Sequence, residues 1–168
     1  MSLTKDKVIY ILTLRLDKES QIFFNRLREE HFPRERNFLQ AHLTLFHQLP
    51  DHPRTFQNLQ QLKMDRFDMK VNGLMHLGSG VAYTIESEEL LHLHQELSSH
   101  FSDCLIPQDQ QRFKPHITIQ NKATPEVSKR LFEILNHEFV PFTIQATGID
   151  LWIYKGGPWE FNAGFDLS

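Results

Sequence analysis

Ala41-His42-Leu43-Thr44-Leu45 and Pro115-His116-Ile117-Thr118-Ile119 are the two stretches on which the reading of this chain turns. Each is a His-x-Thr motif with apolar flanks. On a strand, successive side chains point to opposite faces, so His42 and Thr44 share one face while Leu43 and Leu45 take the other. The second motif repeats the pattern, with Ile117 and Ile119 turned to the core. Each motif thus sets an imidazole beside a hydroxyl on a platform held by its own apolar residues, and rigid elements hold catalytic groups better than loops do. The same alternation puts Phe46 and Gln120 on the cleft-facing side of their strands. It puts His47 on the face opposite His42.

A third match, His100-Phe101-Ser102, lies in helical periodicity, where positions two apart do not share a face. It is set aside. The chain holds 10 His, and about one His-x-Ser/Thr match is expected by chance at its composition. Two matches in strand alternation, one in each half and 74 residues apart, exceed that expectation. The bland alternative is two unrelated strands with polar outer faces.

Around the motifs, the chain alternates between strand and helix patterns. Val8 to Leu14 is dense in β-branched and aromatic residues and reads as a buried strand. A helix follows from about Glu19 to His31, with Ile22, Phe23, Leu27 and Glu30 at helical spacing, and Phe32-Pro33 ends it. Pro53 opens a short helix to about Met64. Phe67 to Leu77 and Val81 to Ile85 flank Gly78-Ser79-Gly80 as a hairpin. Ser87 caps a helix that aligns Leu90, Leu93, Leu97 and Phe101. Asp103 to Pro115 is polar and aperiodic, hence a loop. Thr124-Pro125 starts a helix carrying Val127, Leu131 and Leu135 inward. Phe142 to Tyr154 is a long strand, and Gly156-Gly157-Pro158 turns the chain into a last one, Trp159 to Leu167. Helices between mostly antiparallel strands make an α+β fold.

The 168 residues favour one domain, and 40% hydrophobic content is enough for a core. A net charge of −3 leaves no global basic field for gripping duplex nucleic acid, so any such partner is held locally in a cleft. With Cys104 the single cysteine, no intrachain disulfide forms. The polar start, Met1 to Lys7, and the short, interrupted apolar run after it fit neither a membrane span nor a signal peptide. The expected location is cytoplasmic, with no membrane association and no obligatory protein partner.

Two histidines facing one cleft suit in-line attack on a phosphodiester or cyclic phosphate. A neutral imidazole takes a proton from the attacking water or hydroxyl, and a protonated one gives a proton to the leaving oxygen. The threonine hydroxyls donate to the non-bridging oxygens. This scheme needs no metal and no cofactor. His31, His47, His76, His92 and His94 lack the i,i+4 or Cys/His spacing of a zinc site.

These residues resemble those of the 2H phosphoesterase superfamily, which includes the 2′-5′ RNA ligase-like proteins and cyclic nucleotide phosphodiesterases. Phe113-Lys114-Pro115-His116-Ile117-Thr118 is similar to the family's aromatic-x-Pro-His-hydrophobic-Thr segment, and Leu39 to Leu45 to its earlier motif. The likeness extends over nearly the whole chain. It implies a single domain over residues 1–168 made of two intertwined lobes. Two antiparallel sheets with flanking helices would be related by a pseudo-twofold axis around a central cleft. It also implies catalytic roles for His42 and His116 and phosphate binding by Thr44 and Thr118.

Further candidates follow from position. Phe46 would stack on a base, and Gln120 would bond a sugar hydroxyl. Trp152 and Tyr154, on one face of the late strand, would wall a pocket. Arg15, Arg112, Lys114 and Lys155 would supply charge to a phosphate. The expected substrate is a nucleotide or RNA-end phosphodiester. Two alternatives stay open: 2′-5′ RNA ligation at the same site, and a module that binds a nucleotide or RNA end without turnover. Phosphate binding alone would more naturally use Arg and Lys than two His-Thr pairs.

Overall fold

A computed structural model describes residues 8–168; the polar stretch Met1 to Lys7 lies outside the described residues. The strands are β1 (Ile9–Leu16), β2 (Leu43–Leu49), β3 (Phe67–His76), β4 (Val81–Glu86), β5 (His116–Gln120), β6 (Phe142–Tyr154) and β7 (Glu160–Asp166). The helices are α1 (Lys18–His31), α2 (Pro53–Gln60), α3 (Glu88–His100) and α4 (Pro125–Glu138). This is an α+β fold. No helix among the described residues is long and apolar enough to cross a membrane.

Local chemistry accounts for most boundaries. Asp17, Ser87 and Thr124 cap α1, α3 and α4 by accepting backbone N–H groups three residues on. Leu90, Leu93, Leu97 and Phe101 are fully buried, each contributing about 1.5–3 kcal/mol. In the β3–β4 turn Gly78 takes a positive φ of 91°, where a side chain would be strained. Gly80 sits so close to β5 that a Cβ would clash with the Gln120 carbonyl oxygen.

Three helix expectations are corrected. α1 turns Ser20, Phe24 and Arg28 inward, whereas Ile22 and Phe23 stay substantially exposed. α2 stops at Gln60, short of Met64. In α4 Val127 is 55% exposed, and Ser128 takes the inward place. Its hydroxyl bonds the Gly78 carbonyl at 3.1 Å and His76 Nε2 at 2.8 Å.

The expected pair of sheets is one antiparallel sheet of seven strands, in the order β2-β1-β6-β3-β4-β5 with β7 on β6. The reason lies in β6, whose 13 residues serve both halves. Its Phe142–Ala146 stretch pairs with β3, and Gly148–Ile153 pairs with β7, while β1 runs along its other edge. The order reads alike from either edge. In each half a strand enters a helix, and the motif strand leaving that helix pairs back beside it (β1-α1-β2 and β4-α3-β5). The sheet curls until its edge strands β2 and β5 come into contact.

Each connecting helix packs across onto the other half. α1 lies against β5, with Phe24 edge-on to Tyr83 of β4. α3 places His94 flat on Phe46 of β2, ring centroids 4.7 Å apart.

Candidate active site

His42 and His116 are presented in the same way. Each stands at the entrance of its strand, and each Nδ1 lies 2.8 Å from the carbonyl oxygen two residues earlier, Gln40 and Lys114 respectively. A carbonyl oxygen only accepts, so Nδ1–H donates and Nε2 is left for chemistry in both rings. His42, Thr44, His116 and Thr118 line one cavity of about 310 Å³. The structure therefore brings together the four residues singled out from the two motifs.

Helix α1 positions both motifs through one polar stripe. Gln21 Nε2 donates to the Ala41 carbonyl at 2.7 Å, and Asn25 Oδ1 accepts the Ala41 N–H at 2.9 Å. Together they satisfy the backbone just before His42, where no strand partner does. One turn on, Arg28 Nη1 donates to the Thr118 carbonyl at 3.1 Å. Residues 21, 25 and 28 follow helical spacing, so a single helix face registers one motif against the other. In the sequence that stripe is indistinguishable from the polar, solvated side of an amphipathic helix.

Both motif strands break their alternation directly after the threonine. On β2, Thr44 faces Thr13 and Phe46 faces Leu12, so Leu45 is an extra residue without a β1 partner. On β5, Thr118 faces Ala82 and Gln120 faces Val81, so Ile119 is the extra one. A bulge turns every later side chain to the other face. Phe46 is accordingly fully buried, stacked on His94 and edge-on to Phe101, and does not line the cleft. Gln120 is buried too, its Nε2 donating to the His31 carbonyl at 3.3 Å.

The same bulge corrects His47, which enters the cleft beside His42. Its Nδ1 bonds Asp109 Oδ1 at 2.8 Å, and the carboxylate also accepts the His47 and Gln48 N–H groups. Asp109 comes from a 3-10 turn, Pro107–Gln110, in the stretch expected to be plain loop. Burial acts to raise its pKa, but these hydrogen bonds and the His47 ring outweigh it and hold Asp109 below its ordinary value.

The remaining candidates separate. Arg112 and Lys114 line the motif cavity. Tyr154 lines an adjoining chamber of about 480 Å³. Trp152 lines a wider one of about 840 Å³, its Nε1 donating to Thr13 Oγ1 at 2.9 Å. Arg15 also borders the wide chamber but is taken up by Asp150 and Asp166. Lys155 lines none of the three; it is exposed, 3.9 Å from Glu160.

His42 borders all three chambers and is their meeting point. Trp159, expected only as a strand residue, packs against its ring at 4.7 Å. Burial is the main reason the His42 imidazolium is pushed down to about 4; the positive charges of Arg28, His116 and His47 add to this, and the Gln40 carbonyl opposes it. His42 is thus neutral at pH 7. Arg28 is itself 4% exposed, and burial lowers its pKa to about 10.

The family model for the 2′-5′ RNA ligase superfamily matches residues 16–158. The chain belongs to that superfamily. It is the 2H phosphoesterase group to which the paired motifs pointed. Solved structures share the fold. TT0787 of Thermus thermophilus is 18% identical with a TM-score of 0.68, the match covering 95% of this chain and 97% of that one. E. coli LigT complexed with 3′-AMP is 18% identical with a TM-score of 0.61, covering 95% and 98%. E. coli LigT in apo form is 15% identical with a TM-score of 0.62, covering 98% and 99%. No match was found among curated protein sequences. A phosphoesterase or ligase-like activity fits this 2′-5′ RNA ligase superfamily member.

Proposed function

We propose that the protein hydrolyses a 2′,3′-cyclic phosphate or small phosphodiester at a nucleotide or RNA end, by acid–base catalysis between two histidines and without a metal. The observation that carries this reading is the matched presentation of the two imidazoles, each pinned at Nδ1 and each lining one cavity with its own threonine. The 3′-AMP complex of the similar E. coli LigT supports a nucleotide ligand.

His42, neutral at pH 7, is the base. Its Nε2 takes a proton from water as the water oxygen bonds to phosphorus. His116, protonated at Nε2, gives its proton to the leaving ribose oxygen as the P–O bond breaks. Thr44 and Thr118 donate to the non-bridging oxygens, where charge builds. A phosphate between the rings raises the His42 pKa and strengthens it as a base. After turnover the rings carry the opposite protonation, and exchange with solvent resets them.

Incubation with 2′,3′-cyclic nucleotides and short RNA ending in a cyclic phosphate, chelator present, tests this. Turnover is expected to fall about 10²–10⁴-fold in His42→Ala and in His116→Ala. Equal activity in wild type and variants refutes the assignment, and binding without turnover across a broad panel points to a binding module instead. A second reading is ligation, the same steps reversed with a ribose hydroxyl in place of water. Chambers on more than one side of His42 leave room for two RNA ends.

A further inference from the structure

Among the described residues, Arg28 is a buried cation without a counter-ion. Its Nε donates to Asn37 Oδ1 at 3.1 Å and its Nη1 to the Thr118 carbonyl, both neutral acceptors. Its guanidinium carbon lies 4.2 Å from the centroid of the Phe32 ring. Among the described residues no carboxylate stands within ion-pair distance of it, although Arg15 and Arg54 both have one. A buried charge is retained at a cost unless an opposite charge reaches it. The chamber that Arg28 lines offers one route for that charge to arrive, since it opens beside His42 and Thr118.

The rest of that chamber has a matching chemistry. Among the described residues its lining carries a second cation, Arg36, and no carboxylate. Phe38, Tyr154 and Trp159 supply aromatic surface, and Phe38 is 68% exposed with its ring uncovered. Aromatic faces take nucleobases by stacking, and arginine takes phosphate in a bidentate fork. A volume of about 480 Å³ falls in the range of small-ligand sites, about 300–1,000 Å³. The chain is acidic overall, at −3, but this chamber is not.

We propose that this chamber is a second phosphate subsite, in which Arg28 and Arg36 take the 5′-phosphate of the nucleotide whose cyclic phosphate lies between His42 and His116. The proposal rests on the reading of the two-histidine site given above. It makes the preferred substrate a nucleotide with two phosphates, as at the end of an RNA chain, over a lone nucleoside cyclic phosphate. Arg28 then has two tasks: it fastens α1 to β5 and it neutralises the substrate's second anion.

The test compares adenosine 2′,3′-cyclic phosphate with and without a 5′-phosphate. In wild type the 5′-phosphorylated form is expected to have a kcat/KM about thirtyfold or more higher, carried mainly by KM. Arg28→Met, which keeps length and removes charge, abolishes that preference. Because Arg28 also holds the Thr118 backbone, the readout is the ratio of the two kcat/KM values within each variant, which a loss common to both substrates leaves unchanged. If Arg28→Met does not fold, Arg28→Lys and the rim variant Arg36→Ala replace it, and each must reduce the preference. Equal kcat/KM for the two substrates in wild type overturns the subsite, as does a preference that survives in the variants. If neither substrate turns over, the hydrolytic reading fails separately. Calorimetric binding of the same two ligands then decides the subsite: tighter binding of the 5′-phosphorylated form, dependent on Arg28 or Arg36, upholds it, and equal binding overturns it.

Discussion

Replacing Trp159 by alanine should move the titration of His42. Burial is the largest cause of the low His42 pKa of about 4, and Trp159 packs against the ring at 4.7 Å. Returning the imidazole to its ordinary value of 6.5 corresponds to about 3.5 kcal/mol, as an upper bound, since each pH unit is worth about 1.4 kcal/mol. Trp159 is one wall of several, and Arg28, His116 and His47 still repel the proton. A rise of about 1 pH unit is therefore expected in Trp159→Ala. Titrating the imidazole carbon-bound protons by NMR, with the His42 signal assigned by its loss in His42→Ala, measures the rise directly. The acid limb of kcat/KM should move up by the same amount, because a base works only when neutral. An unchanged His42 titration in a folded Trp159→Ala protein would refute burial by Trp159 as the cause. The sign carries over to stability. A folded pKa below the unfolded one means that the unfolded chain binds the proton more readily. The contribution is then complete above about pH 6.5 and is lost as pH falls towards 4.

Four other substitutions separate the roles of further residues. Asp109→Ala removes the acceptor of two backbone N–H groups and the His47 ring, so urea unfolding should show a loss of about 2–4 kcal/mol. In the wild type this contribution should fade as pH drops through the lowered Asp109 pKa, since the carboxylate form is the one the fold stabilises. Phe46→Ala should cost about 3–5 kcal/mol in the same measurement, because Phe46 is a core residue. Phe38→Ala, on an exposed ring, should stay within about 0.5 kcal/mol of wild type. Comparable losses in both would contradict the bulge. Gly80→Ala drives a Cβ into the Gln120 carbonyl and should displace β5 from β4. Circular dichroism melts should then show a large fall in Tm, and an unchanged Tm would mean that this approach is easily relaxed.

What the amino-acid order determined by itself is the local part of the protein. Helix caps, the glycine turn at Gly78 and the apolar stripe of α3 depend on residues within a few positions of one another. Alternation across His42-Leu43-Thr44 and His116-Ile117-Thr118 is equally local, so the imidazole and hydroxyl pairs are legible in the sequence alone. Only the tertiary structure decided what lies just past each threonine. A bulge is set by the partner strand's register, and β1 and β4 impose one extra residue on β2 and β5. That step sent Phe46 and Gln120 into the interior and brought His47 to Asp109, 62 residues away. Two half-sheets became one because β6 is long enough to pair with both. The buried charge of Arg28 was hidden for the same reason. An arginine on a helix reads as solvated until the element packed over it is known, and that element, β5, lies 90 residues further along the chain.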